Sequence, residues 1–448
     1  MPVTPKTVSY TLALVLGMTF VSACSSGSNK GTSSTPTTVA QKIDYKALGL
    51  WDDGPCDTGK PPLKIGLMTT FSSPVISLKD QADALDASAK AFNARGGANG
   101  ACIEVHNCDD GANTDQAVAC VRQIDQAGVV ATVNDQGTAG QAEVSAAMAK
   151  AGIPRVASNV TQNDWGDQNA YPTDASGTGV TFLLPDALIA RGQKKLGAIR
   201  VDLAAASALK GLLNQLYQKD GAQITYDVPV PGGTTDYSQF ILGAQNAGVG
   251  GVFLAVGDQD AIQTVQAAQQ LGSNLLIGAS LGSFSQKAVS DLGSEAKELV
   301  FMWSYPPASV GSVPAYQAMR ADLAASGESS LQPENLKASP IRSWIGLYAL
   351  LRMIRDAHMT AFTRQGISTM LKDAKSVPML RMFGGENWTP NMNHQGLFQR
   401  AGMNHWQVWS WDANAASSTG VKGNFVPVTA VSWDKVVCGS VFGSPGPC

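Results

Sequence analysis

From residue 63 to residue 158, apolar strand-like runs and helix-like segments alternate without a break. That alternation leaves few folds open. Residues 63–70 read as a buried strand, and Leu85, Ala89 and Phe92 then recur at helical spacing until Gly96-Gly97 stops them. Strands follow at 103–108, 129–134 and 153–158, with helices at 113–127 and 138–151. Strict alternation of this kind makes a parallel sheet covered by helices on both faces. The grammar restarts downstream, with strands at 196–202, 224–230, 251–256 and 275–278 and helices at 207–219, 237–247 and 260–271. Two sets of strands imply two α/β lobes rather than one long sheet. Residues 178–184 and 298–305 read as the chain passing between them. Residues 313–375 are mostly helical, 406–411 alternate like a late strand, and 413–448 read as a glycine-rich tail held by its cysteines.

A chain of 448 residues accommodates two or three such domains. Its net charge is only −3, and 15% of its residues are charged. This argues against nucleic acid and against a charged membrane patch. Beyond the N-terminus, no run of some eighteen uninterrupted apolar residues is present to span a bilayer.

At the N-terminus, Lys6 precedes an apolar run over 10–21, and Val21-Ser-Ala-Cys24 is followed by Ser25-Ser-Gly-Ser28. The run is too short to span a membrane and reads as a signal peptide. The Cys24 context resembles a bacterial lipobox, which implies cleavage before Cys24 and lipidation of its thiol. A plain secretory signal is the rival reading. The Ser/Thr/Gly/Pro-rich stretch over 25–42 is what a tether needs. The expected location is extracytoplasmic, on the outer face of the cytoplasmic membrane.

With Cys24 set aside, six cysteines remain, at 56, 102, 108, 120, 438 and 448. An even number in an exported chain implies disulfides, although six cysteines allow fifteen pairings. Cys108 ends a strand and Cys120 lies on the next helix, which favours Cys108–Cys120. Cys56 and Cys102 precede neighbouring strands, and Cys438–Cys448 are left. No metal site is expected: there is no Cys-x-x-Cys, and the histidines at 106, 358, 394 and 405 are scattered. Asp109-Asp110 reads as a solvated turn. No cofactor is expected.

Specific stretches carry a family likeness: Lys64-Ile-Gly-Leu-Met-Thr-Thr-Phe71, Phe92-Asn-Ala-Arg-Gly-Gly-Ala-Asn-Gly100, Cys108-Asp-Asp110 with Gln116-Ala-Val118, Gly152-Ile-Pro-Arg-Val-Ala-Ser158 and residues 384–396. Over about residues 62–412 the chain resembles the type I periplasmic binding proteins, in particular the leucine/isoleucine/valine-binding subunits of ABC importers. The resemblance implies two Rossmann-like lobes joined by three crossover strands, with the ligand in the cleft between them. The implied division is a signal peptide over 1–23, a lipidated cysteine and flexible linker over 24–60, lobe I from 61–182 and 304–400, and lobe II from 183–303 and 401–448. The implied partners are a small solute and the permease and ATPase subunits of an importer, with the binding protein itself a monomer.

In open α/β sheets, ligands sit beyond the carboxyl ends of the strands. Those ends carry Phe71-Ser-Ser73, Gln136-Gly-Thr138, Asn159-Val-Thr161, Asp202, Asp258 and Ser280. Thr138 reads as the N-cap of the following helix. By the resemblance, Thr138 and Thr161 hold a ligand carboxylate, and Gln136, Gly137, Asn159 and Val160 line the pocket. The other lobe departs from the pattern. Ser280 stands where the family carries an acid for the ligand's ammonium, and Ala206 and Ser77 stand where it carries aromatics. Asp258 is the residue that could restore a negative charge. Burying an ammonium without a partner costs several kcal/mol, so the expected ligand is a small carboxylate or neutral polar compound with an apolar body. Trp303 is open to stacking on the ligand or bracing the crossover, and Trp388 reads as a brace.

Two further readings stand beside the transport receptor. Gly278-Ala-Ser280-Leu-Gly282 matches the G-x-S-x-G elbow of serine hydrolases, with His358, His394 or His405 as possible bases. A sensory binding module without a transporter is the other.

Overall fold

The computed structural model describes residues 43–73, 76–137, 139–158, 165–202, 209–310, 313–393, 399–400, 402–432 and 434–437. The signal peptide, Cys24, the spacer 25–42, Thr138, Asn159, Val160, Thr161, Ala206, His394 and the Cys438–Cys448 pair lie outside them.

Two sheets organise the described residues. The first has the order β2-β1-β3-β4-β5 and is parallel throughout. Its strands are β1 (Leu63–Thr69), β2 (Ile103–Asp109), β3 (Ala131–Val133), β4 (Arg155–Val156) and β5 (Ala170–Tyr171). The helices Thr114–Gln126 and Gln141–Ala151 cover one face. Cys120, Val121, Ile124, Val144 and Met148 pack there under Met68. The helices Lys79–Asn93 and Ala338–Asp356 cover the other.

The second sheet has the order β12-β11-β10-β9-β8-β6-β7. Here β6 (Lys195–Val201), β7 (Gln223–Val230), β8 (Gly251–Ala255), β9 (Leu276–Ser280) and β10 (Leu299–Trp303) run parallel. The remaining two, β11 (His405–Asp412) and β12 (Asn424–Ser432), are antiparallel additions at one edge. The architecture is therefore two α/β lobes, as the strand count implied.

Several details correct the sequence reading. Residues 178–184 are not a crossover strand but part of the helix Ser176–Ile189, which packs on β8, β9 and β10. Val180, Leu183, Leu184, Ala187 and Leu188 are buried at helical spacing. Residues 299–303 are β10 itself, and the crossing begins only at Ser304. The glycine-rich tail contains β12, whose exposed outer residues hide its alternation. The linker does not run to residue 60: Ile43 onward is docked on the first lobe. There Leu50 is buried, Trp51 stacks on Phe92 and Tyr348, and Tyr45 donates to Asp322. Asp322 in turn takes both terminal nitrogens of Arg95 and the indole of Trp344.

Disulfides join Cys56 to Cys102 and Cys108 to Cys120. The short loop closed by the second contributes roughly 3 kcal/mol through the unfolded chain.

The chain crosses between the lobes near residues 172–175, 304–308 and 402–404, and these connections touch. The Met403 amide donates to Thr173 O at 2.8 Å, and Trp388 Nε1 donates to Pro172 O at 3.0 Å, so Trp388 is a brace. Ser304 Oγ donates to Asp174, whose carboxylate also accepts from Arg342 Nη2 at 2.9 and 3.1 Å. Arg342 belongs to the Ala338–Asp356 helix, which is apolar on nearly every side and runs through the interior. Gly346 lets this helix approach the first sheet: a Cβ there would fall 2.6 Å from Ala157 Cβ and 3.1 Å from Val133 Cγ1.

Gly→Ala in a helix ordinarily stabilises by about 1 kcal/mol. At Gly346 we expect the reverse sign, a net loss of about 1–2 kcal/mol from overpacking. Urea unfolding of Gly346→Ala checks it.

Candidate functional site

The carboxyl ends of the two sheets face each other across the connections, and the ordering of the loops there starts from two acids. Asp109 accepts from the amides of Phe71 at 2.8 Å and Gly111 at 2.9 Å, and from the Ser72 hydroxyl. Burial pushes the Asp109 carboxyl up, but these donors outweigh it and hold its pKa below the usual carboxylate range. Asp110 is fully buried rather than solvated, and accepts from Thr70 Oγ1 at 2.6 Å and the Ala112 amide at 3.0 Å. Together they clamp the loop after β1 and leave Phe71 half-buried at its tip.

Gln136 is pinned to the same edge. Its carbonyl accepts from Thr69 Oγ1 at 2.9 Å and its side-chain oxygen from Gln81 Nε2 at 2.7 Å. Gly137 is buried where a Cβ would fall 2.1 Å from Gln141 Nε2 and 3.3 Å from Asp110 Oδ2. The next helix begins at Gln141, with Gly140 at its N-cap in the left-handed region (φ 61°), so the capping position is Gly140 and not Thr138. Asn134 and Ala157, at the ends of β3 and β4, also have positive φ (58° and 50°). Such values are uncommon without glycine; here they turn the chain off the sheet edge.

On the second lobe, Ser280 Oγ accepts from the Gly282 amide at 3.1 Å and caps the turn Leu281–Ser283. Among the other residues of the elbow reading, His405 packs its ring beside Gly384 and His358 ends the Ala338–Asp356 helix with φ 49°. Trp303 is buried at the end of β10, edge-on to Tyr305, with its ring against Gly282. Asp258 opens the helix Asp258–Gln270, but it does not stand free. Lys337 Nζ lies 2.8 Å from Asp258 Oδ2 and 2.9 Å from Asp80 Oδ2. Asp80 belongs to the first turn of Lys79–Asn93, on the other lobe.

Lys337 thus ties the cleft-facing ends of two helices from different lobes. Burial works against its charge, yet the flanking carboxylates of Asp258 and Asp80 hold its pKa above the ordinary value. Burial raises the Asp80 carboxyl, and Lys337 only partly offsets this. Asp80, Asp174, Lys337 and Arg342 were not singled out by sequence reasoning. The available signal was two cations, Lys337 and Arg342, at the start of a segment without another charge as far as Leu351. Among the described residues, no group of three His, Cys, Asp or Glu side chains could hold a metal ion. No helix of the described residues is long and apolar enough to cross a membrane.

Two lobes with paired sheet edges facing one another, bridged by three connections, are the architecture of a ligand clamp. The sequence profile of the periplasmic binding proteins matches residues 62–406. The chain belongs to this family, in its type I form. Periplasmic binding proteins work outside the cytoplasm, and they are binding proteins rather than enzymes, so the Ser280 elbow carries no hydrolysis.

Solved structures agree on the fold. A fatty acid ABC transporter substrate-binding protein from Thermomonospora curvata superposes with a TM-score of 0.69 at 16% identity, covering 86% of this chain and 96% of that one. An ABC transporter solute-binding protein from R. palustris, in complex with 4-hydroxybenzoate, gives 0.67 at 14% identity, covering 83% and 97%. A leucine-, isoleucine-, valine-, threonine- and alanine-binding protein from Brucella ovis, in its closed conformation, gives 0.66 at 15% identity, covering 86% and 99%. No curated protein sequence matches.

Replacing Lys337 by Met leaves Asp80 buried without its cation, and should cost about 2 kcal/mol near neutral pH, a buried-pair loss discounted for the partly exposed Asp258. Because the Asp80 pKa is raised in the folded state, its contribution is fully present below the ordinary carboxylate pKa and is lost as pH rises through the folded value. The deficit of Lys337→Met should therefore shrink on going from about pH 7 to about pH 4.5. Thermal melts of both proteins across that range check the sign.

Proposed function

We propose that this periplasmic binding protein is the solute-binding subunit of an ABC importer and captures a small carboxylate with an apolar body. The observation that carries the ligand class is the commitment of Asp258. Its carboxylate is paired with Lys337, so it is not waiting for a ligand ammonium. Asp80 shares the same lysine and Asp174 is paired with Arg342, while Ser280 occupies the position where an acid was expected. At Asp258, Asp80 or Asp174 an α-ammonium group would have to displace one of the protein's own cations. Two of the structurally similar proteins point the same way: one is described as a fatty acid binder and another holds 4-hydroxybenzoate. Both ligands place one carboxylate on an apolar body.

In this reading Phe71, Gln136, Gly137, Thr138, Asn159, Val160, Thr161 and Ser280 are the residues that bind the solute. The lobes close over the solute by a hinge motion at the three connections and present the closed form to a permease. Cys24 carries the lipid that keeps the protein at the membrane, with residues 25–42 as the tether.

Thermal shift and calorimetry with octanoate, 4-hydroxybenzoate, leucine and isoleucine test the ligand class. Acids without an ammonium should raise the melting temperature by several degrees; stabilisation by leucine or isoleucine alone would refute the reading. For the anchor, Cys24→Ser expressed with its own leader should move from the membrane fraction to the soluble fraction, and retention at the membrane would show that the cysteine does not carry it.

A further inference from the structure

The described residues contain three fully buried arginines, Arg155, Arg342 and Arg400, and they differ in one respect. Arg400 uses every nitrogen, on the carbonyls of Ala170, Pro390 and Met392 and on Asn391. Arg155 has Asp135, Ser145 and Asp167 around it. Arg342 gives only Nη2 to Asp174, and its Nε and Nη1 have no partner. A guanidinium carries five N–H donors, and buried donors of this strength are seldom left unmade.

The place where this occurs is as telling as the deficit. Arg342 lies one turn before Gly346 on the same helix face, and Gly346 abuts Ala157 at the end of β4. The next residue, Ser158, is fully buried and its hydroxyl also lacks a partner. From the end of β10 the Trp303 ring approaches the guanidinium carbon to 5.4 Å, and from the connection after it the Tyr305 ring to 5.9 Å. Trp303 also touches Gly282, just past β9. Unpaired donors of Arg342 thus lie against an aromatic wall, and Ser158 follows directly on the residue that the same helix face touches. The Asp174 carboxylate opposite is shared with the Ser304 hydroxyl.

We propose that Arg342 recognises the carboxylate of the solute, with Nη1 and Nε donating to it and the Ser158 hydroxyl adding a third bond. The inference rests on the carboxylate reading above and names the group that enforces it. A ligand acid offers an acceptor oxygen to each of these donors, whereas a carboxamide offers one carbonyl and sets its own N–H groups against the other. The guanidinium also belongs to the hinge cluster, so a bound acid reports directly to the connections that bend.

Calorimetry of the whole protein with octanoate and 4-hydroxybenzoate, and with their carboxamides, tests this on wild type, Arg342→Lys and Arg342→Gln, each first checked by thermal melt. The expected result is acid binding to wild type, at least tenfold weaker binding to both variants, and no binding of the amides. A folded Arg342→Lys that binds the acid within twofold of wild type overturns the proposal and leaves the carboxylate reading standing. Failure of wild type to bind either acid overturns both. If neither variant folds, the Arg342 Nε–H resonance of the wild-type protein decides: it should shift on saturation with the acid, and an unmoved resonance overturns the proposal.

Discussion

One buried carboxylate holds the two lobes in register. Asp174 lies in the first connection and accepts from Arg342 on the long interior helix and from Ser304 on the second connection. Its neighbour Thr173 takes the amide of Met403 from the third. Three crossings and one helix therefore meet within two consecutive residues. A paired buried charge contributes little net stability, but removing one partner typically costs about 3–5 kcal/mol. Such a point resists substitution and stays put while the parts around it turn. That is what a hinge between two rigid α/β lobes requires.

Stiffness is shared unequally between the lobes. Both described disulfides lie on the first lobe, as does the docked segment beginning at Ile43. That segment is fixed by Tyr45 on Asp322, by Trp51 stacked on Phe92 and Tyr348 under Arg355, and by the Cys56–Cys102 bridge. Among the described residues no disulfide lies on the second lobe, which is held by its sheet, its helices and side-chain ties such as Arg200–Asp227 and Gln286 on Ser417 and Gly423. The Lys337 contacts then join a braced body to a less braced one at the mouth of the cleft.

Much of the candidate site was legible as positions and little of it as partnerships. Phe71, Gln136, Asp258 and Ser280 were placed at sheet edges because strand order and the carboxyl-edge rule follow from local periodicity. The pairing of Asp258 with Lys337 was not legible, because Lys337 is remote in sequence and lies outside any recognisable motif. Asp109-Asp110 looked like a solvated turn because adjacent acids usually are; burial and the hydroxyl of Thr70 changed that. Arg342 was hidden by its surroundings, since a lone cation in the buried apolar stretch 338–351 gives no periodic signal of its own.

By itself the sequence determined what depends on neighbours along the chain. That covers the alternation that makes two parallel sheets, the helix stops at glycine, two of the cysteine pairs, and the family's opening motifs. The tertiary structure alone decided what depends on contacts between distant segments. These include β12 as an edge strand, the docking of residues 43–60, the helix over 176–189 where a crossover was expected, and the assignment of each buried cation to its acid. The reason is physical. Periodicity is written in side chains a few residues apart, whereas the pairing of a buried charge is set by whichever group the finished fold brings within about 3 Å.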